Sequence, residues 1–246
     1  MANEQTIDKL HQMRMSVMAR AYRDQEEIPF AAEMGFDERL AMMVDAEWDA
    51  RRTNKRLRYL RQAHFPETDA NIADIRYDAD RKIDREQMLE PSTCAWIANR
   101  RNVVITGASG AGKTWISNAL GVAACNAFYT VRYARLPELL DELTVFKDED
   151  WLKQRKKYIK CDLLIIDDWL LEKVKANEAR EIMEVIEARD HTGSLILCSQ
   201  FSPSAWHAKL GNGAIADAVI DRIVYKSYTI HLEGEESMGK RMSEIR

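Results

Sequence analysis

The stretch Gly107-Ala108-Ser109-Gly110-Ala111-Gly112-Lys113-Thr114 decides how this chain is read. A short apolar run, Val103-Val104-Ile105-Thr106, precedes it, and a helix-forming segment starts at the lysine. The glycines let backbone N–H groups converge on one point, and the helix N-terminus adds positive potential there. That combination cradles phosphate oxygens. In such a loop Lys113 reaches the β- and γ-phosphates of a nucleoside triphosphate and the Thr114 hydroxyl ligates Mg²⁺. Gly107, Ala108, Ser109, Gly110, Ala111, Gly112, Lys113 and Thr114 are the expected nucleotide contacts, with ATP and Mg²⁺ as the ligands.

Downstream, Leu163-Leu164-Ile165-Ile166-Asp167-Asp168 is an apolar strand that ends in two carboxylates. Asp167 is expected to hold the metal through its water shell, and Asp168 to polarise the attacking water. A further strand, Leu195-Ile196-Leu197-Cys198-Ser199-Gln200, ends in polar side chains. Carboxyl ends of parallel strands line the ligand crevice, so Ser199 or Gln200 is placed to touch the γ-phosphate or the water. Arg222 is the candidate for the arginine that phosphoryl transfer recruits, often from a neighbouring subunit. Spacing alone does not separate it from a surface ion pair with Asp221 or Asp217.

Short apolar runs predict strands at Asn102–Thr106, Tyr129–Ala134, Leu163–Asp167, Leu195–Ser199 and Tyr228–Leu232. Helices are predicted at Lys113–Ala127, Pro137–Phe146, Asp150–Ile159, Asn177–Arg189 and Ala214–Val224. Alternation of this kind builds a parallel sheet covered on both faces. Ahead of it, Leu10, Met13, Val17 and Ala21 recur at helical spacing from Ile7 to about Tyr22, until Glu26-Glu27-Ile28-Pro29 breaks the pattern. A second helix starts near Phe36-Asp37, carries Leu40, Met43, Val44 and Trp48, and stops before Pro66. Residues 1–65 are read as a small all-helical N-terminal domain for partner binding or dimerisation. Residues 66–90 are read as a linker and the start of the core, and 91–246 as the α/β core.

The chain has 246 residues, 46% hydrophobic and 31% charged, enough for one large α/β domain with a small appendage. A net charge of -4 gives no bulk affinity for nucleic acid but leaves room for a local basic surface. Cys94, Cys125, Cys161 and Cys198 are scattered without metal-ligand spacing and read as reduced thiols. The polar N-terminus lacks a signal-peptide core and no stretch is long enough to span a bilayer, so a cytoplasmic location is expected.

Taken together these residues resemble the IstB family, helper ATPases of insertion-sequence transposases. That family sits in the AAA+ branch with the helicase loader DnaC and the initiator DnaA. The resemblance rests on Arg61-Gln62-Ala63-His64-Phe65-Pro66, the phosphate loop, Leu163 to Trp169, Ser199-Gln200 followed by Trp206-His207, Ala216-Asp217 through Arg222, and His231 to Met238. It implies a P-loop AAA+ three-layer αβα core, with a five-stranded parallel sheet in the order 5-1-4-3-2. It implies ATP-dependent oligomers on duplex DNA, with ATP sites at subunit interfaces and Arg222 acting in trans, that recruit or stimulate a cognate transposase. A DnaC-like replicative helicase loader is the alternative. Trp115 stands where the family usually has His, and Gly239 where an Arg commonly follows Ser237-Met238; Lys240 or Arg241 is the candidate substitute. Only a short tail follows the last strand, so the helical lid is expected to be absent or reduced. Asp168, one methylene shorter than the Glu common in AAA+ proteins, implies slow, assembly-dependent hydrolysis to ADP and phosphate.

Two basic runs are candidates for DNA contact: Arg51–Arg61, and Lys153, Arg155, Lys156, Lys157 and Lys160. On helices these charges spread over more than one face, and charge runs are usually solvated surface. The second run lies in the span that matches the helical insertion of the initiator branch, Leu136–Lys160, which lines the central channel in relatives. No base-reading motif is present, so phosphate-directed, largely sequence-independent contact is expected.

Overall fold

The computed structural model describes residues 3–29, 33–77, 83–145 and 149–233. Packing divides the chain into two units, Met1–Arg58 and Tyr59–Arg246.

The first unit begins with α1 (Glu4–Gln12) and α2 (Ser16–Asp24), where a single helix was expected. The break has a local cause. Arg14 takes a left-handed conformation (φ 59°), its N–H donates to His11 O, and Met15 N–H donates to Leu10 O. These two bonds satisfy the last carbonyls of α1 and reverse the chain, a cap usually built on glycine and therefore invisible to apolar spacing. Ile7, Leu10 and Ala19 form the small core. The third helix, α3 (Phe36–Ala63), places the buried Glu47 carboxylate at the start of α2, where it accepts from Val17 N and Met18 N at 3.0 Å each. An acidic group suits the positive end of a helix.

The second unit takes the last turn of α3. Ala63 and Phe65 are buried in its core, and Phe65 packs so closely on Gly121 that a Cβ there would come within 2.6 Å of the ring. A 3₁₀ turn (Ile72–Asp74), α4 (Arg85–Ser92) and α5 (Ala95–Ala98) lead into the α/β core. Its first half comprises β1 (Asn102–Gly107), α6 (Lys113–Asn126), β2 (Val131–Arg135), α7 (Leu136–Val145), α8 (Glu149–Ile159) and β3 (Leu163–Asp167). The remaining elements are α9 (Ala176–Arg189), β4 (Ser194–Ser199), α10 (Pro203–Lys209), α11 (Ala214–Val224) and β5 (Ser227–Leu232). All strand pairs are parallel, in the order β2-β3-β4-β1-β5. This is the predicted order read from the other edge.

Side chains alternate across the sheet. Val103, Ile105, Ile165 and Ile196 face α6, while Val104, Leu164, Ile166 and Leu197 face the layer with α7, α9 and α11. Two apolar faces each need a helical cover, and the result is a three-layer αβα sandwich. The short α10 was not foreseen: Pro203 at its first turn is a helix-start signal, but the run is too brief to show periodicity. The tail residues named for the lid and the missing arginine, from Gly234 to Arg241, lie outside the described residues, as does Phe146.

Arg189 locks this frame together. It is 1% exposed and donates to Tyr158 O, Ile159 O and Cys161 O at 2.7–3.1 Å, and to Ser194 O at 2.7 Å. It thereby caps the end of α8 and ties that helix to the start of β4. Arg189→Leu strips these buried carbonyls of their donor and is expected to lower stability by about 3–5 kcal/mol. Urea denaturation measures it; a loss below about 1 kcal/mol would remove Arg189 from this role.

Candidate nucleotide-binding site

The phosphate loop closes on itself through glycine. A Cβ at Gly107 would lie 2.5 Å from Leu232 O on the neighbouring strand, so the approach of β5 excludes any side chain. Gly110 and Gly112 take φ of 76° and 92°, conformations that cost other residues strain, and Gly112 starts α6. Lys113 is buried, with Nζ donating to Gly107 O at 2.8 Å and Ala108 O at 2.7 Å. Burial pushes its pKa down, while Cys198, Asp167 and Asp168 act in the opposite direction. A half-desolvated ammonium at a ring of glycines is a strong attractor for an anion.

The carboxylates stand where the sequence put them, at the carboxyl end of β3. Thr114 Oγ1 donates to Asp167 Oδ2 at 2.6 Å, the Tyr133 hydroxyl donates to the same oxygen at 2.9 Å, and Asp168 N donates to Asp167 Oδ1. A hydroxyl and a carboxylate side by side at the loop are hard oxygen donors of the kind Mg²⁺ takes with phosphate and water. Tyr133 is buried, and burial together with Asp167 raises its pKa, so it remains a phenol donor. Asp168 leaves the strand with φ 52°, and its Oδ2 accepts from Arg135 Nε at 2.8 Å and Nη2 at 2.7 Å.

Tyr133 and Arg135 escaped the sequence reading. Both belong to β2, whose register pairs Arg135 with Asp167. The signal exists only in the sheet order: once β2 is known to border β3, its terminal polar residues must lie beside the two acids.

The end of β4 separates Ser199 from Gln200. Ser199 is fully buried; its hydroxyl donates to Trp169 O at 2.9 Å and accepts from Phe201 N and Trp206 Nε1 at 3.1 Å. One donor and two lone pairs are thereby used. Gln200 is exposed, immediately beyond the strand.

Arg222 lies at the opposite, amino end of the sheet. Asn102, at the start of β1, donates from Nδ2 to Arg222 O and Ile223 O. The Arg222 guanidinium bonds Ala218 O at 3.1 Å and stands 3.5 Å from Glu187. The length of β1, roughly 17 Å, separates that end from the phosphate loop of the same chain. The candidate ion pairs with Asp217 and Asp221 are not the ones formed here; Asp217 instead meets His207 at 2.9 Å, joining α11 to α10.

The basic run on α8 resolves into two faces. Lys153, Lys156 and Lys157 of α8 are exposed and recur at i, i+3 and i+4, which makes one stripe, and the exposed Lys160 follows directly after the helix. Arg155 points elsewhere: its guanidinium pairs with Glu184 of α9 at 2.7 Å and is 14% exposed. No helix among the described residues is long and apolar enough to cross a membrane.

Comparison with known proteins agrees with this geometry. An insertion sequence ATP-binding protein of Sinorhizobium fredii is 33% identical over 234 residues, covering 94% of each chain. The AMPPCP-bound DnaA of Aquifex aeolicus superimposes with a TM-score of 0.56 at 19% identity, covering 73% of this chain and 56% of that one. The DnaC helicase loader superimposes with a TM-score of 0.51 at 17% identity, covering 67% of this chain and 97% of that one. These likenesses establish the AAA+ type of fold. Residues 8–245 match the IstB-like ATP binding protein family, and the chain belongs to that family.

Proposed function

We propose that this protein is an ATPase of an insertion sequence, which assembles on duplex DNA in its ATP-bound form and recruits or stimulates the cognate transposase. The observation that carries the ATPase reading is the alignment of Lys113, Thr114, Asp167 and Asp168 at one end of the sheet, with Asp168 facing out of β3. Mg²⁺, when bound with ATP, neutralises charge that develops on the phosphates. Thr114 and Asp167 would hold its oxygen shell, Tyr133 fixes the orientation of Asp167, and Lys113, now bonded to loop carbonyls, would donate to phosphate oxygens. Asp168 orients and polarises water, with Gln200 as the exposed polar group that completes the water side; Ser199 holds the β4 exit in shape. Arg135 holds the Asp168 carboxylate through Nε and Nη2 and has to release it for catalysis.

Position supports a trans role for Arg222. A guanidinium at the amino end of the sheet cannot serve its own phosphate loop, but it faces the carboxyl end of a neighbour in a head-to-tail assembly. Cytoplasmic residence and a partner-binding role for the first unit belong to the same proposal. The helicase-loader alternative is distinguished by capture: the purified protein with ATP and DNA retains the element's transposase in the favoured reading, and a replicative helicase in the alternative.

The lysine stripe of α8 is the proposed contact with DNA phosphates. Reversing Lys153, Lys156 and Lys157 to Glu is expected to weaken duplex binding at low salt. It should also flatten the slope of log K against log salt by about 0.9 for each phosphate no longer neutralised. Fluorescence anisotropy across a salt titration reads both. Arg155→Glu instead loosens α8 from α9 and should show as reduced stability. An unchanged salt slope in the triple variant refutes the assignment.

A further inference from the structure

Two residues other than glycine, Asp168 and Leu170, take left-handed conformations on either side of Trp169, with φ of 52° and 51°. Such a backbone costs on the order of 1–3 kcal/mol per residue and persists only where surrounding contacts hold it. Trp169 supplies those contacts. It is fully buried, its N–H donates to Cys198 O at 2.8 Å, and its carbonyl accepts from Ser199 Oγ at 2.9 Å. Its indole stands edge-on to that of Trp206, with ring centroids 5.8 Å apart. Among the described residues no acceptor meets the buried Trp169 Nε1, a donor whose isolation is itself unfavourable. From this turn a chain of contacts leads to α11. Trp206 Nε1 donates to Ser199 Oγ and Phe201 O at 3.1 Å each. Lys209, at the end of α10, donates to Leu171 O at 2.9 Å, and its carbonyl accepts from Val174 N. His207 Nε2 lies 2.9 Å from Asp217 in the first turn of α11, and its Nδ1 lies 3.0 Å from Asn212 between the two helices. Trp169, Leu170, Trp206, Leu210, Ala216 and Val219 share one buried cluster. Close packing of that kind passes a displacement on rather than absorbing it. Arg222 follows Asp217 by five residues on the same helix.

We infer that Trp169, Trp206 and His207 are positioning residues, which carry the state of a chain's own ATP site to the arginine that the chain presents to its neighbour. Coupling of two sites needs an element with two arrangements that both sites bias. The turn from Asp168 to Leu170 is that element: it is strained, it holds an unpaired donor, and it begins with the acid that polarises water. When Asp168 turns to the water beside bound ATP, the strained turn relaxes. Trp169 then shifts against Ser199 and Trp206, and α10 takes α11 with it through His207 and Asp217. Arg222 thereby reaches the neighbouring site only when its own chain holds ATP. This inference rests on the roles proposed above for Asp168 and Arg222.

Hydrogen exchange of the full chain without DNA, compared with and without ATP and Mg²⁺, tests the first half of the relay. ATP should change exchange at residues 168–171 and also across α10 and α11. In Trp206→Phe, which loses the indole N–H, the change should stop at 168–171. Steady-state turnover with ATP and DNA tests the second half. His207→Ala, a change at a partly exposed position, is expected to lower kcat about fivefold or more with KM within about threefold of the parent. His207→Gln, whose amide can still donate to Asp217, should recover most of that loss. Added to Arg222→Ala, His207→Ala should lower kcat no further, because both remove the same contact, whereas independent defects multiply. Parent-like turnover in Arg222→Ala overturns the trans role of the arginine and the relay with it. Where Arg222→Ala is slow, three results overturn the relay alone: a parent-like kcat in His207→Ala, losses that multiply in the double variant, or exchange in α11 that ATP leaves unchanged.

Discussion

Lys113→Ala is expected to reduce ATP affinity roughly 100-fold or more, equivalent to about 2.7 kcal/mol. Two physical terms support a loss of that size. The ammonium is buried against the loop, so its field is poorly screened, and its bonds to phosphate are charge-assisted. The fold should persist, since the substitution removes a partly desolvated cation without opening a large apolar cavity. Calorimetric titration with ATP in the presence of Mg²⁺ measures the affinity, and a thermal melt checks the fold. Affinity within threefold of the parent in a folded variant excludes Lys113 as a phosphate ligand. Thr114→Val, by contrast, should leave binding without Mg²⁺ unchanged and remove most of the gain that Mg²⁺ brings.

Asp168→Asn is the second large effect. It keeps the shape of the side chain and removes the charge that polarises water, so turnover should fall by 10²- to 10⁴-fold while ATP affinity stays within a few-fold. The ATP-bound assembly on DNA should persist, because its means of resetting is gone. Phosphate release and the lifetime of the complex on DNA report the two halves of this prediction. Arg135→Ala is the companion. It removes the guanidinium that holds Asp168 Oδ2 at 2.7 Å, so basal turnover is expected to rise several-fold with affinity unchanged. The pair is partly exposed, and an exposed ion pair is worth only about 0–1 kcal/mol, which bounds the rise. Turnover unchanged in Asp168→Asn refutes its assigned role. A fall in Arg135→Ala assigns the arginine to catalysis instead.

The phosphate loop, the strand ending in Asp167-Asp168, all five strands and the parallel α/β class were legible because each is written locally. Glycines permit a turn, apolar runs demand burial on both faces, and a strand end presents its last side chains to the crevice. The start of the chain was less legible. Apolar spacing ran continuously from Ile7 to Tyr22, and nothing in it announces that Arg14 takes a left-handed conformation and splits the helix.

The sequence by itself determined which chemistry this protein carries: a loop that accepts phosphate, a lysine, a hydroxyl and two acids beside it. Tertiary structure decided who attends that chemistry. Tyr133 and Arg135 reach the two acids only because β2 lies next to β3, a pairing between residues some thirty positions apart. Ser199 turned inward to three partners, and Arg155 was drawn to Glu184 and away from the lysine stripe. Arg222 came to rest at the end of the sheet that its own loop does not occupy. The physical reason is one of range. Backbone conformation and burial are set by neighbours along the chain, whereas the partner of a side chain is set by strand order and by the second layer of packing. The loop from Gly107 to Thr114 marked the place for a nucleotide's phosphates; the sheet around it decided which side chains stand beside that loop.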